Sequence, residues 1–578
     1  MQITRRGWIG AATAIAGVAL TDAAVADSAP PDARPLKPPV SPVQSFVISA
    51  PGASGRNYDP ALAALRDYAS LELTTYGLPG MTLAVTDSDG FTAVLALNGG
   101  ATVHGGQYFQ IGSISKSFIA LTVLALSDQG HIDLDAPLAR YLPDAALPAE
   151  PITVAQLLSH TSGLPDDAPL FPRTPDGRLW CGFKPGSHFS YSNTGYGLLG
   201  KLIERVTGET HQAAVKRLVR DKLGLADMAG TISQSARARF ATGYWPWDRT
   251  SAAALPGARM EDASWYEEDI PAGSLGGTAD QMAVYLRALL RTGRGEGAPV
   301  LSDAMAKRFA MPVIATDEFG PGAQYACGVA VQPIDGSPCL HHTGGTIAFS
   351  SSFHADPAAG VACFASVNAR NENYRPRLTT AFAVRLMRAV RAGKPLPSAP
   401  DPLASLRFKD PGPFLGTFVG PDREAFTISA RADGVSLSGL GAEARAVPQG
   451  PGRLVTDHPR FARYGFDAVM ENGKAAAFWW GNTLFGRDAP RPTPTPAERL
   501  RPLAGDYRNR DPWVGGASVL ARGDVLVVDG VGPIIDRGGW WSAEKDIGGV
   551  ERLRFEAILN GKAQRLVVSG NDLLRIIV

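Results

Sequence analysis

The chain has 578 residues, 45% of them apolar and 19% charged. That globular balance excludes a mainly disordered, collagenous or coiled-coil protein, and the length calls for about three or four domains. Lys plus Arg total 56 against 55 Asp plus Glu, a net charge of +1, so no basic field exists to hold nucleic acid. Four Cys without C-x-x-C spacing make neither a disulfide scaffold nor a structural zinc site, and neither metal nor cofactor is expected.

In chain order, residues 1–26 read as an export signal. Thr4-Arg5-Arg6-Gly7-Trp8-Ile9 precedes an Ala/Gly-rich apolar run from Gly10 to Leu20, then Ala24-Val25-Ala26. This is similar to a twin-arginine signal with a small-residue cleavage site. The apolar run falls short of the roughly 20 residues a spanning helix needs. The expected location is periplasmic or secreted, with no stable membrane span in the mature form. Twin-arginine substrates cross folded, which favours reduced Cys. Cys327 and Cys339 flank an expected hairpin, and sequence leaves their pairing open.

Proline punctuates the rest. A Pro-rich leader occupies 27–54, and a mixed helix-and-strand domain spans 55–393. A linker covers 394–410 with Pro395, Pro397, Pro400 and Pro402, and a second, Pro490-Arg491-Pro492-Thr493-Pro494-Thr495-Pro496, fills 490–496. The segments 411–489 and 497–578 resemble each other. One opens on Phe414-Leu415-Gly416-Thr417-Phe418, the other on Leu503-Ala504-Gly505-Asp506-Tyr507. Turns such as Ala432-Asp433-Gly434 and Arg522-Gly523-Asp524 divide each into short apolar runs, and each carries a Trp pair, Trp479-Trp480 and Trp540-Trp541. Short strands at this spacing predict two small antiparallel β-barrels with the Trp pairs filling their cores.

Three elements of the large domain carry chemistry. After Phe109-Gln110-Ile111-Gly112 the apolar positions Phe118, Leu121, Leu124 and Ala125 fall at helical spacing. Ser113 therefore stands at a helix N-terminus, where free amides can hold a developing oxyanion. Lys116 lies one turn on, and burial would ease its deprotonation and make it a base for the Ser hydroxyl. Alone, S-x-x-K is weak, as Ser542-Ala543-Glu544-Lys545 shows in the last barrel.

The second element is Tyr191-Ser192-Asn193, on the turn before a helix carrying Leu198, Leu199, Leu202 and Ile203. A phenol beside an ammonium can relay a proton, and the Asn amide both donates and accepts. Tyr507-Arg508-Asn509 is a decoy in an exposed turn. The third is His341-His342-Thr343-Gly344-Gly345, a hairpin strand whose glycines admit close backbone approach. Adjacent His also suit a metal, but neighbouring strand positions face opposite sides, so a metal site is not expected.

In this order S-x-x-K, Y-x-N and H-x-G resemble the serine β-lactamase and penicillin-binding protein superfamily, in its class C β-lactamase-like branch. The stretches Ile152 to Pro165, with His160-Thr161-Ser162-Gly163, and Pro271-Ala272-Gly273-Ser274-Leu275 agree with it. The resemblance implies an α+β fold, an antiparallel sheet packed by helices with a helical subdomain. Ser113 would be the acyl-accepting nucleophile, Lys116 its base partner and Tyr191 the second proton carrier. Asn193 would orient Lys116 and the substrate. His342 takes the place of the K-T-G lysine beside Gly344, and the Gly345 and Ser113 amides would form the oxyanion hole. No cofactor is implied.

A His in that place offers no permanent charge for a substrate carboxylate, and H-x-G is seen in D-aminopeptidase and esterase-like relatives. The expected activity is hydrolysis of an amide or ester through an acyl-enzyme, as a D-stereospecific aminopeptidase or peptidase. The partner is a small peptide, amide or ester. Alternatives are a carboxylesterase, a weak β-lactamase or DD-peptidase, and, in another class, a non-catalytic β-lactam- or peptide-binding protein. The oligomeric state stays open.

Other residues read as structural. Gly195-Tyr196-Gly197-Leu198-Leu199-Gly200 lacks the strand and acid of a dinucleotide site and reads as close helix packing. His160 reads as a hydrogen-bonded structural residue, and Asp166 and Asp167 as solvated acids by default, with the rim of the cleft as the alternative. The excursion from Tyr244 to Asp269, with Trp245, Trp247, Trp265, Tyr266 and Glu267-Glu268, reads as packing that could also attract a substrate amine.

Overall fold

The computed structural model describes residues 46–50, 55–246, 260–370, 375–431, 434–511 and 513–576. The expected export signal at 1–26, nearly all of the Pro-rich leader, Trp247 and the turn residues Ala432 and Asp433 lie outside them. Among the described residues no helix is long and apolar enough to cross a membrane.

The first domain is built on a nine-stranded antiparallel sheet. Its strands are β1 (Phe46–Ala50), β2 (Gly80–Asp87), β3 (Thr92–Asn98), β4 (Ile314–Ala315), β5 (Gln324–Tyr325), β6 (Ala330–Ile334), β7 (Ser337–Gly345), β8 (Ser350–Asp356) and β9 (Val361–Val367), in the order β1-β3-β2-β9-β8-β7-β6-β5-β4. Helices α1 (Asp59–Tyr76) and α5 (Arg375–Arg391) cover one face, and α4 (Ala279–Gly293) packs on β2 and β9 from the other. The central strands are buried on both faces, and strand alternation divides their side chains between two cores. Val361, Cys363, Ala365 and Val367 join Leu65 and Phe382 on the α1–α5 side. Ala362 and Phe364 join Phe118 and Leu286 on the other.

Helix α2 (Ser115–Asp128) is buried on every side from Ser115 to Leu126. It runs through the middle of the second core, flanked by α3 (Asn193–Thr207). Gly200 of α3 meets the Pro271 ring, where a Cβ would lie 2.1 Å from Pro271 Cγ. The G-x-G-x-x-G match is therefore helix packing, as its context implied. All four Cys are free. In the β6–β7 register Cys339 lies opposite Gln332 rather than Cys327, which places the two thiols out of line.

Two closed eight-stranded antiparallel barrels follow, from Gly416–Val419 to Thr483–Arg487 and from Gly505–Arg508 to Asn571–Arg575. Their likeness extends to the closure. Arg487, in the last strand of the first, lies 4.9 Å from the Phe418 ring and donates to the Leu415 carbonyl (2.7 Å). Arg575, in the last strand of the second, lies 4.8 Å from the Tyr507 ring and donates to the Ala504 carbonyl (2.8 Å).

Each Trp pair splits, so core filling is half the account. Trp480 and Trp541 pack inward. Trp479 lies under Arg522 of the other barrel, and Trp540 stacks with Trp180 of the first domain on either side of Arg552. Alternation along a strand sends neighbouring residues to opposite faces, and both outward faces are occupied by a neighbouring domain.

Candidate active site

Ser113 stands in a 3-10 turn, Gly112–Ile114, that leads directly into α2. The strand expected before it is short, Phe109–Gln110, and pairs with Gly276–Gly277. That pairing and two further bonds tie the turn to the Pro271–Leu275 segment. Ile111 N–H donates to the Leu275 carbonyl (3.0 Å), and Leu275 N–H donates to Ser115 Oγ (3.1 Å).

Lys116, fully buried, converges on this turn. Its Nζ donates to Ser113 Oγ (3.0 Å), Asn193 Oδ1 (2.5 Å) and the Ala272 carbonyl (2.9 Å). Three acceptors match the three N–H bonds of an ammonium, which offsets its loss of water. The Nζ also lies 4.8 Å from the centre of the Tyr191 ring.

Asn193 is the first residue of α3, one position later than the turn expected for it, and Ser192 is the cap, accepting Gly195 N–H at 2.9 Å. The amide of Asn193 is oriented from both ends. Its Oδ1 takes the Lys116 bond and its Nδ2 donates to Asp167 Oδ1 (2.9 Å).

His160, buried and held at φ +57°, accepts Ser192 N–H on Nδ1 (3.0 Å) and lies under the Tyr191 ring at 4.2 Å. It is the structural residue the sequence suggested, bracing the Tyr191–Asn193 turn.

The end of β7 touches the Ser113 turn through glycine alone. A Cβ on Gly344 would lie 1.8 Å from the Ile111 carbonyl oxygen and 3.2 Å from Ser113 N. Gly112, at φ +53°, faces Gly345 N, 2.6 Å from where its own Cβ would be. The Ser113 and Gly345 amides are thus brought together at one contact. The β6 partner ends opposite His341, so the β7 edge from His342 to Gly345 has no strand on that side among the described residues.

His342 stands on β7 two residues before Gly344. It is fully buried. Its Nδ1 donates to the Thr343 carbonyl (2.6 Å), and in the neutral ring Nε2 then accepts from the Tyr325 hydroxyl, 3.0 Å away. Burial holds the Tyr325 phenol far above its ordinary pKa, so it stays a donor. Both nitrogens serve the protein, and the ring faces the site only through Tyr191, 6.3 Å away.

The acids take the less favoured of the two places the sequence offered them. Asp166 is buried and Asp167 half-buried. Asp166 accepts Asn193 N–H (3.2 Å), and Asp167 holds the Asn193 amide. Glu267 and Glu268 separate, with Glu268 buried near Lys116 and Glu267 exposed. Burial is the main cause that raises Asp167 to about 6 and Glu268 to about 7. Lys116 pulls both down. Glu551 pushes Asp167 up, and Asp167 and Asp511 push Glu268 up.

Two of these neighbours come from the second barrel. Trp513 hydrogen-bonds Asp167 through its side chain. Glu551 accepts Asp166 N–H (2.9 Å) and Ser569 Oγ–H (2.6 Å), and Asn571 donates to the Asp167 carbonyl (2.7 Å). The advance signals of this group were the Asp166-Asp167 and Glu267-Glu268 pairs, since nothing local in 509–515 or 550–571 marks a site. The decoys are inert here, with Ser542 buried in barrel two and the Tyr507 hydroxyl donating to the Leu503 carbonyl (2.7 Å). Among the described residues no His, Cys, Asp and Glu group could hold a metal ion.

The arrangement offers a hydroxyl bonded to a buried lysine, a phenol beside that lysine, two adjacent amides and a set of carboxylates. A profile of the family described as Beta-lactamase matches residues 61–385. Penicillin-binding protein 4 of Amycolatopsis lactamdurans is 29% identical over 370 residues, 60% of this chain and 94% of that protein. Esterase EstB of Burkholderia gladioli is 35% identical over 164 residues, 24% of this chain and 41% of that protein. The structure of the octameric penicillin-binding protein homologue from Pyrococcus abyssi matches with a TM-score of 0.52 at 21% identity, over 73% of this chain and 99% of that one, a likeness of fold. The profile covers more than half of the chain, and the chain belongs to the beta-lactamase family, a family of serine hydrolases.

Proposed function

We propose that this protein is an exported serine hydrolase whose substrates carry a free amine on the acyl side, an aminopeptidase or amidase acting on small peptides. Ser113 is the nucleophile. Lys116 acts as the neutral amine, having given up the proton it shares with Ser113 Oγ, and takes the hydroxyl proton; Oγ bonds the carbonyl carbon, and the Ser113 and Gly345 amides hold the oxyanion. Tyr191 passes a proton to the leaving nitrogen as the C–N bond breaks. Lys116 hands the Ser113 proton on to Tyr191; water then attacks the Ser113 ester and gives a proton to Lys116, which returns it to Ser113 Oγ as the ester C–O bond breaks and the free acid departs.

The observation that carries the amine is Asp167 bonded to the Asn193 amide that Lys116 holds, with buried Glu268 within the electrostatic reach of both Lys116 and Asp167. A carboxylate group there attracts an ammonium and repels a carboxylate, which also disfavours efficient β-lactamase or DD-carboxypeptidase action. With both His342 nitrogens engaged, no open cation at that place holds a substrate carboxylate. The likeness of the motifs to D-aminopeptidases makes D-residue peptides the first to try. The likeness to esterase EstB favours ester hydrolysis as the second reading.

The test is hydrolysis of D- and L-alanine p-nitroanilides beside their N-acetyl forms and p-nitrophenyl acetate. Turnover of free-amine anilides with at least tenfold loss on acetylation supports the proposal. Ester turnover alone removes the amine claim.

A further inference from the structure

A cavity of about 100 Å³ has Gln110, on the short strand that leads to the Ser113 turn, in its wall. Ile347 and Phe349 on its wall follow the Gly344-Gly345 strand end, and Gln110 precedes Ser113 by three residues. The cavity therefore lies beyond Gly345 along the β7 edge, at the opposite end from His342.

The other wall is aromatic, formed by Phe240, Trp265 and Tyr266. These rings are fixed. Phe240 contacts Tyr108 at 5.4 Å and Trp265 at 5.6 Å, and Phe349 meets Phe109 edge-on at 5.7 Å. Gly243 closes the walls against each other, since a Cβ there would lie 2.6 Å from Ala348 Cβ and 2.8 Å from the Phe349 ring. Ala263 N–H donates to the Gly243 carbonyl (2.8 Å) and pins the two stretches together. The site is preformed, as small-molecule pockets usually are.

Its chemistry is specific. No acid lines it. Arg237 stacks over Trp265 at 5.6 Å, and the Trp265 indole N–H is buried without a hydrogen-bond partner among the described residues. Aromatic walls with donors but no carboxylate suit a neutral ring, tolerate a phenol oxygen and reject an ammonium. An enclosed apolar cavity of roughly 150 Å³ takes a benzene ring; this space is smaller and open on one side, so it admits at most one ring, seated in part. The stretch that gives Trp265 and Tyr266 to the cavity gives Glu268, two residues on, to the carboxylate group. An amine and a side chain on the same substrate residue would reach the two sites together.

We infer that this cavity is the side-chain subsite of the acyl residue and selects a single aromatic ring, so that the preferred substrates are phenylalanyl or tyrosyl amides and peptides. The inference rests on the reading of an amine-bearing acyl group, and its test separates the two. The full chain is assayed with phenylalanine, tyrosine, lysine and alanine p-nitroanilides in both stereochemical series. Alongside run the amine-free 3-phenylpropanoyl and propanoyl p-nitrophenyl esters. In the better series, phenylalanyl kcat/KM should exceed alanyl and lysyl at least tenfold. Ala263→Leu, which fills the cavity, should bring that ratio down at least tenfold while alanyl turnover stays within threefold. If alanyl equals phenylalanyl, the subsite is overturned and the amine reading stands. If only esters turn over, the amine reading falls and the cavity is judged on the ester pair. A 3-phenylpropanoyl preference lost in Ala263→Leu supports it, and equal rates overturn it.

Discussion

At the scale of single residues, the charge around Lys116 decides what the site can bind. Glu268 and Asp167 ionise at higher pH in the folded protein than as free groups, Glu268 at about 7 against 4.5 and Asp167 at about 6 against 3.8. As pH falls from 8 to 5.5 both take up protons and lose their hold on a substrate ammonium. KM for free-amine substrates is predicted to rise about tenfold over that range, one unit of pKa shift being worth about 1.4 kcal/mol. KM for amine-free esters should not move. The same shift has a stability consequence of definite sign. A raised carboxyl pKa means that the folded state binds the proton more tightly than the unfolded one, so stability declines as pH rises from about 4.5 through 7. Glu268→Gln should therefore raise Tm at pH 8 and leave it nearly unchanged at pH 4.5. A variant with lower Tm at pH 8 would show that Glu268 is held there by favourable pairing instead.

At the scale of elements, the site depends on two backbones meeting without side chains. Gly344→Ala would place a Cβ 1.8 Å from the Ile111 carbonyl oxygen, a backbone atom that cannot rotate away. The strand end and the Ser113 turn must part, at a cost of about 2 kcal/mol or more. A drop in Tm with at least a hundredfold loss of turnover is expected, and near-normal turnover would remove the Gly345 amide from the oxyanion role.

The elements also show what could be read beforehand. S-x-x-K and Y-x-N were legible because each lies within one turn or at one helix entry, where spacing fixes geometry. The α2 core followed from apolar periodicity at Phe118, Leu121 and Leu124. The burial of His342 was not legible, because what covers a strand residue, here Tyr325, lies elsewhere in the chain. The split of Trp479 from Trp480 followed from strand alternation, but which face another domain would cover did not. Asp167 read by default as a solvated acid and Glu268 as part of a packed loop, because the groups that act on them, Trp513 and Asp511 among them, lie far off in the chain.

At the scale of the whole molecule, the second barrel is part of the site's wall and the two barrels are tied by charge. Buried Arg453 donates to Asp467 (2.7 Å) in its own barrel and to Asp529 (3.0 Å) in the other, and Arg522 donates back to Asp467 (3.0 Å). Glu551 of the second barrel reaches the first domain at Asp166, whose carboxyl holds the first amide of α3. Glu551→Ala leaves the buried Asp166 N–H unpaired, at a cost of about 1–3 kcal/mol. Loosening of Asn193 should lower kcat/KM about tenfold while Ser113 still reacts with a small electrophile. Unchanged turnover with the lower Tm would confine the barrel to a structural part.

The central claim is that Ser113, activated by Lys116, is the acyl-accepting nucleophile. Its most direct test is labelling of the purified full-length protein with a fluorescent fluorophosphonate, wild type beside Ser113→Ala, followed by peptide mapping. The account predicts stoichiometric label on Ser113 in the wild type and none in a variant of equal Tm. An intact, folded wild type that takes no label, or takes it at another residue, would contradict the account and bring a non-catalytic binding role to the front.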